Sequence, residues 1–158
     1  MAGRGCGGDG QAQPREGGAS GQAGDDEARP ARRAKFGTGE VVVVTHSLGT
    51  VVAYHLLCEF AKSGHELHVP LLITMGSPLG VEAVKRYIDL PHRIPANIAR
   101  WENYFDRGDP VSLGKALSSQ LATGIVDDGS INNQTTNAHS DEGYLGQQAV
   151  RASLEATL

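Results

Sequence analysis

VVVVTHSLGTVVAYHLL, residues 41–57, decides the fold. Four β-branched valines and Thr45 read as a strand buried on both faces of a parallel sheet. From Leu48 to Lys62 apolar residues recur at Leu48, Val51, Val52, Leu56, Leu57 and Phe60, a helical stripe that Ser63-Gly64 ends. Almost no spacer separates the two. The chain must turn sharply from strand to helix, with Ser47 at the corner.

That corner has a chemical reading. A Gly-x-Ser-x-Gly elbow between strand and helix lifts a serine hydroxyl above the sheet. The positions two before and two after the serine are expected to be small, because backbone and side chains crowd there. Gly49 meets this; Thr45 stands where the first glycine is usual. The helix start offers unpaired N–H groups at the positive end of its dipole, so the Leu48 N–H is placed to stabilise an oxyanion.

Outward from the elbow, strands and helices alternate. Val69–Met75 (VPLLITM) reads as a second strand ended by Gly76-Ser77-Pro78. Helical spacing follows at Val81, Val84 and Ile88 within residues 80–89, read as a core-facing helix that could also wall an acyl site. ARWENYF, residues 99–105, is a third strand running into Asp106-Arg107-Gly108-Asp109-Pro110. Residues 111–121 are ambiguous, residues 124–133 contain a fourth strand, and residues 141–154 form a closing helix. The alternation predicts an α/β fold with a mostly parallel sheet.

Residues 1–37 differ in kind. Twenty-four of them are Gly, Ala, Arg or Pro, without hydrophobic period, and they are expected to be a disordered tail, a drifted or misassigned start. Residues 38–158 would be the domain, with eight basic and thirteen acidic side chains. The whole 158-residue chain has a net charge of −4, which gives no argument for nucleic acid. Cys6 and Cys58 are the only cysteines, and no disulfide framework is expected. No apolar run approaches bilayer-spanning length and the N-terminus lacks an apolar signal core, so the expected location is the cytoplasm.

A nucleophilic serine needs a base, and the base needs an orienting carboxylate. Asp109 follows the third strand and His139 follows the fourth, just before the closing helix; both belong at carboxyl ends of parallel strands, where open α/β sheets build their sites. With VVVVTHSLGTVVAYHLL, LLITMGSPLG, RWENYFDRGDPVS and NNQTTNAHSDEGYL in this order, residues 40–144 resemble the C-terminal half of the α/β-hydrolase superfamily, particularly its bacterial lipase- and esterase-like members. The resemblance implies a Ser47–Asp109–His139 triad, hydrolysis of a small-molecule ester or acyl substrate through an acyl-enzyme, and no cofactor or metal.

Rival assignments are few. Asp106 is the alternative acid; otherwise it shapes its turn by Asx-type bonding. His46 is expected to pack beside the sheet, Ser77 to line the floor near the triad, and His65 and His68, in His-Glu-Leu-His, to belong to a surface loop, because their spacing does not face two metal ligands together. Asn133-Gln134-Thr135 is a glycosylation sequon. No strand pattern precedes Val41, so the sheet is expected to be reduced or N-terminally truncated, short of a second oxyanion donor, weakly active and prone to self-association through an uncovered edge. The alternative function is a non-catalytic remnant that serves as an interaction module or has no activity alone.

Overall fold

The apolar segments pair side by side in one parallel sheet. A computed structural model describes residues 39–88, 91–133 and 136–158. In chain order the elements are β1 (Gly39–Glu40), β2 (Val43–His46), α1 (Leu48–Lys62), β3 (Leu67–His68), β4 (Leu72–Met75), a 3-10 turn (Pro78–Gly80), α2 (Glu82–Ile88), β5 (Trp101–Asp106), α3 (Leu117–Gln120), β6 (Val126–Ile131), α4 (Asp141–Leu145) and α5 (Gln148–Glu155). The main sheet has the order β2-β4-β5-β6, parallel throughout, and β1 pairs with β3 in a separate parallel ladder. This is an α/β fold with a four-stranded parallel sheet flanked by helices.

Side-chain alternation divides the core between the two faces of the sheet. On one face Leu72 and Trp101 pack with Tyr54, Leu57 and Cys58 of α1. On the other, Ile73, Met75, Tyr104 and Ile131 pack with Tyr144 of α4 and Val150 of α5. Trp101 is anchored as well as buried: its ring centroid lies 5.3 Å from that of Tyr54, and its Nε1 donates to Thr74 Oγ1 at 3.0 Å.

Several expectations need correction. The valine strand is not buried on both faces: β2 is the outer strand of the described sheet, and Val41 and Val44 are exposed. The stripe on α1 is also only partly covered. Its buried face is Thr50, Tyr54, Leu57 and Cys58, while Leu48, Val52 and Leu56, four residues apart, form a second stripe that is exposed. Thr and Tyr disguised the buried face from an apolar count. Finally, the closing helix is two helices, α4 and α5, broken at Gly146-Gln147. The expected core-facing side of α2 is half-buried, with Ile88 packed against the core that holds Tyr54 and Trp101. The expected tail, residues 1–37, lies outside the described residues, as do Gln134 and Thr135 of the sequon. Contrary to the expectation that no strand precedes Val41, the short β1 (Gly39–Glu40) does, paired with β3. Asn133 itself is buried, with its amide nitrogen donating to Ala138 O and Ser140 O, and is no surface glycan acceptor.

The topology brings the chain's chemistry to one rim. Ser47 follows β2, Gly76 follows β4, Asp106 ends β5 with Asp109 three residues on, and His139 lies beyond β6. All are at carboxyl ends of parallel strands, where the helices begin.

Candidate active site

Ser47 adopts φ 55° and ψ −132°, a conformation that costs a non-glycine residue about 1–3 kcal/mol. Its N–H donates to Met75 O at 3.0 Å, closing the strand, and its carbonyl accepts from the Thr50 N–H at 3.0 Å, opening the helix. A serine at this N-cap position would ordinarily turn its hydroxyl onto the helix amides. Here the hydroxyl makes no cap bond and lies 2.7 Å from His139 Nε2. Thr50 Oγ1 donates to Ser47 O at 2.7 Å, so it accepts the proton of Ser77 Oγ, 2.8 Å away. Ser77 Oγ in turn accepts from the Leu79 N–H. Ser77 is thus a buried bracket beneath the elbow, committed to Thr50 and the 3-10 turn. Leu48, the first helical residue, has no intrahelical carbonyl one turn back to receive its N–H.

Asp109 is 1 % exposed and receives donors on both oxygens. Oδ1 accepts from the Val111 N–H at 2.7 Å and the Ser112 N–H at 3.4 Å. Oδ2 lies 2.9 Å from His139 Nδ1 and accepts from the Tyr144 hydroxyl at 2.7 Å. Burial works to raise the Asp109 carboxyl, but the bonds from His139, Tyr144 and the Val111 amide outweigh it and hold it below its ordinary range. A carboxyl depressed on folding contributes stability above its unfolded value, near 3.8, and that contribution is lost as pH falls through the lower folded value. An ionised Asp109 fixes the His139 proton on Nδ1. Nε2 is then the acceptor for the Ser47 hydroxyl proton, an assignment that follows from the bond network.

The rival acid does something else. Asp106 Oδ1 accepts from the Gly108 N–H and Oδ2 from the Asn133 N–H, each at 2.7 Å. The first bond is the expected Asx-type turn; the second ties the end of β5 to the segment after β6. His139 is paired with Asp109.

Two contributors went unread in the sequence. Gly76, taken only as a strand terminator, has φ +53°, and a Cβ there would lie 2.6 Å from Asp109 Oδ2 and 3.0 Å from His139 Nδ1. Gly49, expected to be the crowded glycine, would bring a Cβ within 4 Å of nothing. The close approach is therefore under the acid and base, not beside the nucleophile. The second is Tyr144, wholly buried, whose only early signal was an aromatic residue in an otherwise polar run. His46 does pack beside the sheet, but against the base: its ring centroid is 4.5 Å from that of His139 and 5.7 Å from that of Tyr144. Burial first, then the neighbouring His139, hold His46 below the usual histidine range, so it is neutral at neutral pH.

Neither models of known families, nor curated proteins, nor solved structures give a match to this chain. The site must speak through its own geometry. Hydroxyl, imidazole and carboxylate form one continuous hydrogen-bond chain, able to draw a proton from Ser47 and return it. His65 rests on Phe60 with centroids 5.0 Å apart, and among the described residues no group of three or more His, Cys, Asp or Glu side chains could hold a metal ion.

Proposed function

We propose that this protein is a serine hydrolase of carboxylic esters. The observation that carries the reading is the Ser47–His139–Asp109 chain, with contacts of 2.7 and 2.9 Å, built on a strained corner that frees the serine hydroxyl from capping. Ser47 Oγ attacks the ester carbonyl carbon while His139 Nε2 takes its proton. The tetrahedral oxyanion is met by the Leu48 N–H. His139 then protonates the departing alkoxide, leaving an acyl-serine. Water, deprotonated by the same nitrogen, releases the acid and restores Ser47. Asp109 holds the imidazole in one tautomer throughout, and no cofactor enters.

A fluorophosphonate probe tests this, because it phosphonylates only an activated serine. Stoichiometric labelling mapped to Ser47 by mass spectrometry is expected. It should vanish in Ser47→Ala and persist in Ser77→Ala, with p-nitrophenyl acetate hydrolysis following the label. An unlabelled protein would leave the second reading, a non-catalytic module. What favours that reading is the exposed apolar stripe Leu48, Val52 and Leu56 beside the elbow.

The partner proposed for the open edge is a second copy of the chain. The N–H groups of Val41, Val43 and Ser47 donate inward, to His68, Leu71 and Met75, so by strand alternation Val42, Val44 and His46 turn their backbone groups outward. Two such edges match about Val44 in an antiparallel register, with Val42 opposite His46. Light scattering on the full chain should show a concentration-dependent dimer that Val44→Lys weakens; a monomer at every concentration would refute it. Among the described residues no helix is long and apolar enough to cross a membrane.

A further inference from the structure

His139 and Tyr144 belong to one short segment, and both reach the same oxygen of Asp109. Ser140 starts α4 by accepting from the Gly143 N–H, and this turn carries Tyr144 back under the acid. The segment is braced by Asn133, whose amide nitrogen holds the carbonyls on either side of His139. At Gly143 a Cβ would fall 1.4 Å from Asn133 Oδ1, so only glycine admits that brace. The Tyr144 hydroxyl has one proton and two partners. It accepts from the Asp106 N–H at 2.9 Å, so its proton is committed to Asp109 Oδ2.

We propose that Tyr144 is a positioning residue for the triad: its phenol proton divides Asp109 Oδ2 with His139, fixing where the carboxylate sits and how strongly it holds the imidazole. The idea rests on the serine-hydrolase reading for its catalytic meaning, while the bond to Asp109 can be tested without activity. The charged or titratable groups around Asp109 are His46 from β2, Asp106 from β5, His139 from the segment after β6 and Tyr144 from α4. Burial, reinforced by the Asp109 carboxylate, keeps the phenol above its ordinary value and therefore protonated across the working range.

The signs follow. Without the phenol, Asp109 keeps more of its charge for His139, and the protonated imidazole is held more firmly. In Tyr144→Phe the acid limb of the labelling rate should move to higher pH. Its plateau should fall about ten-fold, as befits one hydrogen bond to a charged group. The Asp109 carboxyl, followed by carbon-13 NMR in protein labelled at aspartate, should titrate at higher pH than in wild type. A purely packing role would lower the melting temperature and leave both titrations where they were. If Tyr144→Phe does not fold, 3-fluorotyrosine placed at 144 by codon suppression keeps the volume and strengthens the donor. Both titrations should then move to lower pH.

Wild-type and variant proteins with superimposable Asp109 titrations would overturn the proposal, whatever the labelling shows. A wild-type protein that takes no probe would refute the hydrolase reading instead, and the carbon-13 titration would still decide whether Tyr144 governs Asp109.

Discussion

Asp109→Asn is expected to slow fluorophosphonate labelling about 10⁴-fold, the loss that follows when the acid of a triad becomes an amide. The reason lies in who donates to whom. Both Asp109 oxygens accept: Oδ1 from the Val111 and Ser112 amides, Oδ2 from Tyr144 and His139. Whichever way an asparagine is turned, its NH₂ meets a donor. The relief open to the site is for His139 to move its proton to Nε2, and a protonated Nε2 cannot take the serine proton. Asp106→Asn makes the same kind of conflict with the Gly108 and Asn133 amides, but no tautomer depends on it. Its cost should appear as roughly 1–3 kcal/mol of stability with labelling far less affected. Labelling rates and thermal melts on both variants check the ranking, and a reversed order would move the acid to Asp106.

Gly76→Ala should cause the next largest loss, from outside the triad. The residue sits at φ +53°, where a side chain costs about 1–2 kcal/mol, and the new Cβ would stand 2.6 Å from Asp109 Oδ2. Either the carboxylate or the imidazole must yield. Displacement on the order of 1 Å at a reacting centre costs about 10²-fold. The labelling rate should drop by that order, with a lowered melting temperature. Gly49→Ala is the comparison: an alanine there meets no neighbour and suits a helix better, so a similar loss at Gly49 would refute the assignment of the crowding to Gly76.

What could be read beforehand was whatever the chain states locally. The strand–serine–helix corner, the limits of α1 and the order Ser47, Asp109, His139 all follow from runs of a few residues, and the structure brings those three side chains together. What could not be read depends on the chain's path. Val41–Thr45 looks like a central strand because β-branched composition reports what a strand prefers, not who its neighbours are; β2 is outermost in the described sheet. Thr50 and Tyr54 are buried because Ser77, Trp101 and the carbonyls of Pro91 and Arg93 happen to lie where their hydroxyls and ring can be used. Gly76 and Tyr144 touch the acid from 33 residues before it and 35 after it, distances over which sequence carries no spacing rule.

The hydroxyl that Ser47 withholds from its own helix has a consequence for engineering. A glycine at this corner would accept the backbone conformation freely, and an aspartate or asparagine in a relaxed one would cap α1. Selection for thermostability alone would therefore push this position away from serine. On the proposed hydrolase reading, robustness and reactivity pull in opposite directions at this corner, and a library screened by melting temperature would discard the serine first.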